Sequence, residues 1–393
     1  MVKILRIINR FNVGGPVNNA LYLSKYLSPQ FQTKLIGGIP TKDEISAEFM
    51  FDELDVPIEK ISEMTRSINL IDDYKAYKRI CKIIEAYRPD IIHTHASKAG
   101  LIGRLAGIRY KTPIIVHTFH GHVFHSYFGK LKTLLFLNIE RFLAKHSNKI
   151  VTISPLQKEE LYSKYKIAPK HKFEVIPLGF DLLKFTENQK AKRARFRQKY
   201  QIDDNSIVIS IIGRLVPIKN HRLFIESIAQ LKNICQKSIK VFVVGDGDLK
   251  AELISLSKEL GLEISSPNHT KDITFTSWLK ETDQVYAGSD IIALSSKNEG
   301  TPVTLIEAQV ALKPIVSTDV GGIKDILVPS IFNTICEANP SAFAKALQST
   351  INHLKNKRPE EFIRQETLAK YNFTNLANNT EKMYLNLISQ NNA

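Results

Sequence analysis

The 393-residue chain has only three cysteines, Cys81, Cys235 and Cys336, which are far apart and odd in number. Their scarcity argues against a disulfide framework and for a reducing compartment. There is no run of the roughly 18 apolar residues that a membrane-spanning helix requires. The opening MVKILRIINRF is broken by Arg6, Asn9 and Arg10, so it lacks a signal-peptide core and reads as a first β-strand. A cytoplasmic location is therefore expected, with attachment to the inner face of the plasma membrane left open. Low-complexity tracts and short-period repeats are absent. Neither half opens with Gly-x-Gly-x-x-Gly, which disfavours a nicotinamide-dependent dehydrogenase. There is no nucleic-acid motif and no aromatic-studded basic stripe, so nucleic acid is not an expected partner.

What is present is ordinary for a globular protein: 43% apolar and 24% charged residues. The length suits two domains. The net charge of +15 is uneven: residues 1–184 carry 28 Lys and Arg against 17 Asp and Glu (+11), leaving +4 for the remainder. A basic first half fits an anionic membrane surface or a phosphorylated or pyrophosphorylated acceptor; it fits equally a Lys-rich surface kept for solubility.

Short apolar runs alternate with longer amphipathic stretches. Val2–Ile8, Lys34–Gly37, Ile91–His93, Ile114–Thr118, Ile150–Ile153 and Phe173–Ile176 read as strands, several rich enough in Val and Ile to be buried on both faces. Val17–Leu27, Asp73–Tyr87 and Lys132–Lys145 read as helices between them. After the charged stretch Asn188–Lys199 come Ile207–Ile212, Lys240–Val244, Ile273–Phe275, Ile291–Leu294, Pro314–Ser317 and a weaker Thr334–Cys336. The alternation implies α/β architecture with parallel sheets covered on both sides. The expected fold is two tandem Rossmann-like, doubly wound domains, residues 1–185 and 186–374, facing each other across a cleft. Pro177–Lys199 reads as their connection, and a last helix over Asn375–Leu387, within residues 375–393, is expected to return to the first domain.

The segment Ser295-Ser296-Lys297-Asn298-Glu299-Gly300-Thr301-Pro302-Val303-Thr304-Leu305-Ile306-Glu307-Ala308 follows the strand Ile291–Leu294. Pro302 suits the first position of a helix. The amides of Val303, Thr304 and Leu305 would then lack intrahelical partners, which makes the helix start an anion site. Glu307, five residues on, lies about 7.5 Å along the axis, roughly the reach from a diphosphate to a ribose. Glu299 would face the other side of the phosphates.

The Glu299–Glu307 spacing, with Gly300-Thr301-Pro302-Val303 between, resembles the Glu-x7-Glu motif of retaining family 4 glycosyltransferases of the GT-B fold. The resemblance covers nearly the whole chain, most strongly Gly213–Gly322. It implies that Glu299 contacts sugar hydroxyls and Glu307 the nucleotide ribose, with Gly300, Thr301, Pro302 and Val303 around the donor. Gly213-Arg214-Leu215-Val216-Pro217-Ile218-Lys219-Asn220 resembles the family's Gly-Arg-x5-Lys-Asn element, implying that Arg214 and Lys219 grip the diphosphate. Two cations are what a departing nucleoside diphosphate requires, because negative charge grows on it in the transition state. Val243-Val244-Gly245-Asp246-Gly247 resembles a family turn; the accompanying Asp246-x-Asp248 superficially matches a metal-binding motif of the other glycosyltransferase fold, which the tandem pattern disfavours. Phe275-Thr276-Ser277-Trp278-Leu279 falls where the family holds the base, but has Ser277 where Gly is common. Gly14 and Gly15 resemble a loop that approaches donor phosphate and sugar. Asp319-Val320-Gly321-Gly322 resembles a structural turn.

His117, His120, His122 and His125 crowd nine residues after a strand. Zinc is one reading, but no Cys or acid lies nearby and the family generally works without metal, so no metal or cofactor is expected. The resemblance sets His120 beside the transferred sugar. His95 ends another strand, where strand ends line ligand crevices, and acceptor contact is one reading of it. Ser154 reads as a cleft-closing residue or a helix cap. Tyr127–His146 mixes apolar residues with Lys130, Lys132, Arg141 and Lys145, as either a core helix or a basic amphipathic helix on a membrane would.

The resemblance implies a retaining transferase moving a hexosyl or N-acetylhexosaminyl group from a nucleotide sugar, with UDP as the expected carrier, to a saccharide or lipid-linked acceptor of cell-surface glycan synthesis. A GT-B nucleotide-sugar epimerase and a non-catalytic sugar-nucleotide or polyanion binder remain alternatives. Donor incubated without acceptor separates the first; absence of turnover separates the second.

Overall fold

The computed structural model describes residues 1–41, 44–65, 67–121, 130–266, 269–354 and 359–392. The chain forms two compact units: Met1–Phe180 together with Tyr371–Ala393, and Asp181–Lys370.

The first unit is built on seven strands: β1 (Val2–Arg10), β2 (Phe31–Gly38), β3 (Ile58–Ile61), β4 (Ile91–His95), β5 (Ile114–Phe119), β6 (Lys149–Thr152) and β7 (Phe173–Val175). Their order is β3-β2-β1-β4-β5-β6-β7, and every pairing is parallel. All residues of β4 and β5 are buried, as helices on both faces of a parallel sheet require. One face packs Leu5, Ile7, Ile36 and Ile92 against Ala76, Ile80 and Ile84 of the helix Leu70–Tyr87. The other packs Ile4, Ile91, Ile114 and Val116 against Leu23 of Gly15–Tyr26 and Leu376, Met383, Tyr384 and Leu387 of the last helix, Phe373–Asn392.

The second unit has six strands: β8 (Ile207–Ile212), β9 (Ile239–Val244), β10 (Ile273–Ser277), β11 (Ile291–Leu294), β12 (Ile315–Thr318) and β13 (Asn333–Cys336). They run parallel in the order β10-β9-β8-β11-β12-β13. In both units the chain direction through the sheet reverses beside the first strand, between β1 and β4 and between β8 and β11. Such switch points are where open parallel sheets bind ligands, beyond the carboxyl ends of the strands.

Two elements differ from the sequence reading. β3 is a short edge strand, and its Ile-Glu-Lys-Ile has too little apolar character to announce itself. The charged stretch expected to connect the domains contains a helix, Gln189–Lys199, that belongs to the second unit. Arg193 and Arg197 both bond Asp290, each at 2.8 Å, and Phe196 is buried against Gly288, Tyr200 and Phe242. Burying one Phe contributes about 2–3 kcal/mol, and the acid that draws the arginines in lies far along the sequence. Among the described residues no helix is long and apolar enough to cross a membrane.

Candidate active site

In the second unit the fully buried strands β8 and β11 deliver two neighbouring loops. Lys219, after β8, reaches Glu299, after β11: Nζ lies 2.6 Å from Oε1. Ser296 Oγ donates to the same oxygen at 2.5 Å. Glu299 is nearly sealed, its side chain 9% exposed against 24% for Lys219. Arg214 is exposed and makes no ion pair or hydrogen bond with the described residues, so its guanidinium is available.

The helix after Glu299 spans Val303–Val310, with Pro302 as its N-cap rather than its first residue. The Leu305 amide, expected to be free, donates to the Pro302 carbonyl at 3.1 Å, because the first turn tightens there. The Val303 and Thr304 amides have no partner among the described residues. Two donors and the positive end of the helix dipole remain for an anion. The Thr304 hydroxyl is tied back to the Ile212 carbonyl at 3.3 Å, which links the helix start to β8.

Glu307 follows in the same helix. Its Oε2 accepts from the Tyr286 hydroxyl at 2.7 Å. Burial raises the Glu307 carboxyl to about 7, against the opposing pull of that hydrogen bond and of Lys184. Tyr286 itself is fully buried, its hydroxyl pushed well above the ordinary range by burial and by the Glu307 charge. Nothing in the sequence marks Tyr286; it stands in the short helix Thr282–Gly288 and reaches Glu307 only through the fold.

The glycines divide into two groups. A Cβ on Gly300 would meet nothing within 4 Å, and on Gly14, Gly15 or Gly213 nothing closer than 3.9 Å. The packing leaves room beside these four positions. Gly245 and Gly321 have the opposite character. Gly245 has φ +141° and a Cβ there would stand 2.0 Å from the Gly213 carbonyl oxygen; Gly321 has φ +54° and a Cβ 1.9 Å from the Glu299 carbonyl oxygen. The 319–322 turn thus seats the Glu299 backbone, and Gly322 N bonds the Glu299 carbonyl at 3.0 Å. For Gly245 the fold supplies a reason of its own, close packing of two loops.

Asp246 bonds the Gly247 amide at 2.9 Å and pairs with Lys250 at 3.2 Å, a turn arrangement. Ser277 adopts φ +57°, which accounts for the expectation of Gly there. Its Oγ accepts from Lys250 and its carbonyl from Gly245 N. Trp278 beside it is 46% exposed.

In the first unit, Gly14 caps the helix Gly15–Tyr26, accepting from Val17 N and Asn18 N at 3.1 Å each. His95 Nδ1 and His120 Nε2 are 3.0 Å apart with the rings stacked. His95 is fully buried, so its side chain is sealed from an acceptor and instead supports His120. Burial brings His120 down to about 3 and, with the positive charge of Arg6 and the neighbouring histidines, holds His93 and His95 well below the ordinary range. His117 is buried and bonds the Thr94 hydroxyl at 2.8 Å. His122 and His125 lie outside the described residues. Ser154 accepts from Gln157 N at 3.1 Å, the helix-cap reading. Sequence reasoning missed Arg6, whose apolar surroundings gave no sign of a buried guanidinium.

Residues 13–183 match the family described as Glycosyltransferase Family 4, and residues 192–367 that described as Glycosyl transferases group 1. Over 266 residues the chain is 30% identical to the UDP-Gal:alpha-D-GlcNAc-diphosphoundecaprenol alpha-1,3-galactosyltransferase of Escherichia coli, covering 67% of this chain and 66% of that relative, just short of two thirds of its length. A glycosyltransferase from Rickettsia africae superposes with TM-score 0.80 at 20% identity, covering 98% of each chain. HepE of Anabaena, solved in complex with UDP, superposes with TM-score 0.81 at 17% identity, covering 98% of this chain and 100% of that one. At these identities the two superpositions establish the fold, which is GT-B.

Proposed function

Because this chain belongs to the family 4 glycosyltransferases, we propose that it moves a hexosyl or N-acetylhexosaminyl group from a UDP-linked donor to a saccharide or lipid-linked acceptor, with retained anomeric configuration. The observation that carries the reading is the segment Glu299–Glu307: two carboxylates bracket two free helix-start amides, with Lys219 on the first carboxylate and unpaired Arg214 nearby in sequence.

In this reading the diphosphate lies against the amides of Val303 and Thr304 and takes charge from Arg214 and Lys219. The ribose hydroxyls donate to Glu307. Glu299 receives sugar hydroxyls, and the backbone near Trp278 meets the base. Gly213 and Gly300 leave room for the donor, with Thr301 beside it, and Gly14 and Gly15 leave open backbone on the first unit. His120 meets the transferred sugar. The bond from the anomeric carbon to the phosphate oxygen breaks while that carbon bonds the acceptor oxygen on the same face, and the acceptor proton passes to the departing phosphate. The cations and amides stabilise the charge that grows there, so this chemistry calls on no metal or cofactor.

The reading as a lipid-linked, cell-surface glycan enzyme at the cytoplasmic face of a membrane is supported by the basic first unit and by Leu134, Leu135 and Phe142, exposed on the helix Lys130–Lys145. The test incubates the protein with a panel of UDP-sugars, with and without a polyprenyl-diphosphate-sugar acceptor, and follows the anomeric protons. Acceptor-dependent loss of donor and an axial product linkage from an axial donor support the reading. Donor interconverted without acceptor, or bound and never consumed, would refute it.

A further inference from the structure

Resting on the role of His120 just given, we infer that Arg6 is a positioning residue which, acting through His95, fixes His120 in the form carrying its proton on Nδ1, so that His120 offers the sugar a hydrogen-bond donor and not a base.

Arg6 sits mid-strand in β1, in register with His93 of β4, and is fully buried. A guanidinium has donors only. Its Nη1 lies 3.2 Å from His93 Nδ1 and 3.3 Å from His95 Nε2, so both ring nitrogens accept. A neutral imidazole whose Nε2 accepts carries its proton on Nδ1. His95 Nδ1 faces His120 Nε2 at 3.0 Å, so His95 donates and His120 Nε2 accepts. The single proton of His120 is then on Nδ1. His93 obeys the same logic: Arg6 and the Tyr384 hydroxyl, the latter at 2.5 Å, share its one Nδ1 lone pair, and its Nε2–H donates to Thr118 Oγ1 at 2.7 Å. No ring has to play two roles at one atom.

The chain of contacts holds only while the rings are neutral. The groups facing it are Arg6 on β1, His93 and His95 on β4, His117 on β5 and Tyr384 on the last helix. Among the described residues no carboxylate pairs with Arg6. A second positive charge would therefore be buried beside an uncompensated first, which is costly. His120, unlike His95, is only partly buried; its Nδ1 is covered but has no partner among the described residues, so its proton is left for a ligand oxygen that displaces the cover. A donor there can hold a sugar hydroxyl and cannot take the acceptor's proton.

The test is long-range proton–nitrogen correlation on full-length protein carrying 15N-histidine, without donor, with His120→Gln used to assign the His120 signals. His95 and His120 are expected as Nδ1–H forms and His93 as the Nε2–H form, unchanged from about pH 5.5 to about pH 8. A His120 that carries its proton on Nε2, or titrates in that range, overturns the inference. The spectrum needs no turnover, so its outcome is independent of whether the chain transfers sugar. In Arg6→Met the two tautomers of His95 and His120 should mix and kcat should fall about tenfold with UDP affinity unchanged; Arg6→Lys, which keeps a donor, should restore the single form. A folded Arg6→Met protein that keeps the wild-type tautomers overturns the role of Arg6, and if that variant fails to fold the wild-type spectrum still decides.

Discussion

Lys219 Nζ and Glu299 Oε1, 80 positions apart in sequence, meet at 2.6 Å. The pair ties the loop after β8 to the loop after β11, so each partner holds the other in place. Removing either leaves a largely buried charge without its counterpart. Glu299→Gln and Lys219→Met should each lower kcat by about 10²–10³-fold. The double variant should lose much less than the product of the two, because neighbours that act as a unit are not additive. Measured kcat for the two single variants and the double checks this.

Burial brings the Glu307 carboxyl toward neutrality. Its carboxyl is raised from 4.5 to about 7, chiefly by burial. A group raised on folding binds protons more readily in the folded state. Its contribution to stability is thus complete below pH 4.5 and is lost as pH rises to about 7. Relative to Glu307→Gln, the wild type should lose stability across that window in denaturant titrations. Ribose hydroxyls donate to the ionised form, so UDP affinity should rise with pH up to about 7 and then level, and Glu307→Gln should abolish the dependence.

Tyr286 supplies the hydrogen bond that opposes this shift. Tyr286→Phe should move the pH dependence of UDP binding to higher pH. It should also weaken UDP by up to about tenfold near neutrality, because more of Glu307 is then protonated and unable to accept from the ribose. Calorimetric titration with UDP at several pH values measures both effects.

The glycines separate fold from site. Gly321→Ala would push a Cβ against the Glu299 carbonyl from a left-handed backbone, so melting temperature and UDP binding should fall together. Gly300→Ala meets open space and should leave the melting temperature near wild type while weakening UDP. Paired melting and binding curves distinguish the two.

Leu135→Asp with Phe142→Asp removes apolar surface from an exposed helix face of the first unit. Partition onto vesicles containing anionic lipid should drop at least about fivefold with UDP affinity unchanged. Equal partition of variant and wild type in a vesicle sedimentation assay would remove the membrane contact.

Both sheets were legible because β4, β5, β8 and β11 are short Ile- and Val-rich runs with no exposed residue. The loop-and-helix segment around Glu299 and Glu307 was legible because its spacing is set by the geometry of one helix start. What escaped depends on contacts that no local pattern carries. The helix Gln189–Lys199 looks like solvated charge until Asp290 draws in Arg193 and Arg197. Arg6 reads as a break in an apolar strand until His93 and His95 accept its hydrogen bonds. Tyr286 finds Glu307 only because the helix Thr282–Gly288 packs beside the helix start. Acceptor contact is one sequence reading of His95, beside a structural one; in the fold its side chain is completely buried among Arg6, His93 and His120.

A nucleoside diphosphate held between Glu299 and Glu307 is the central claim, and a crystal structure of the protein soaked with UDP tests it most directly. The expected density has the diphosphate on the amides of Val303 and Thr304, the ribose hydroxyls on Glu307, and Lys219 turned from Glu299 toward phosphate. UDP bound at any other place on the second unit, or no UDP bound at millimolar concentration while the Lys219–Glu299 pair persists, would contradict it.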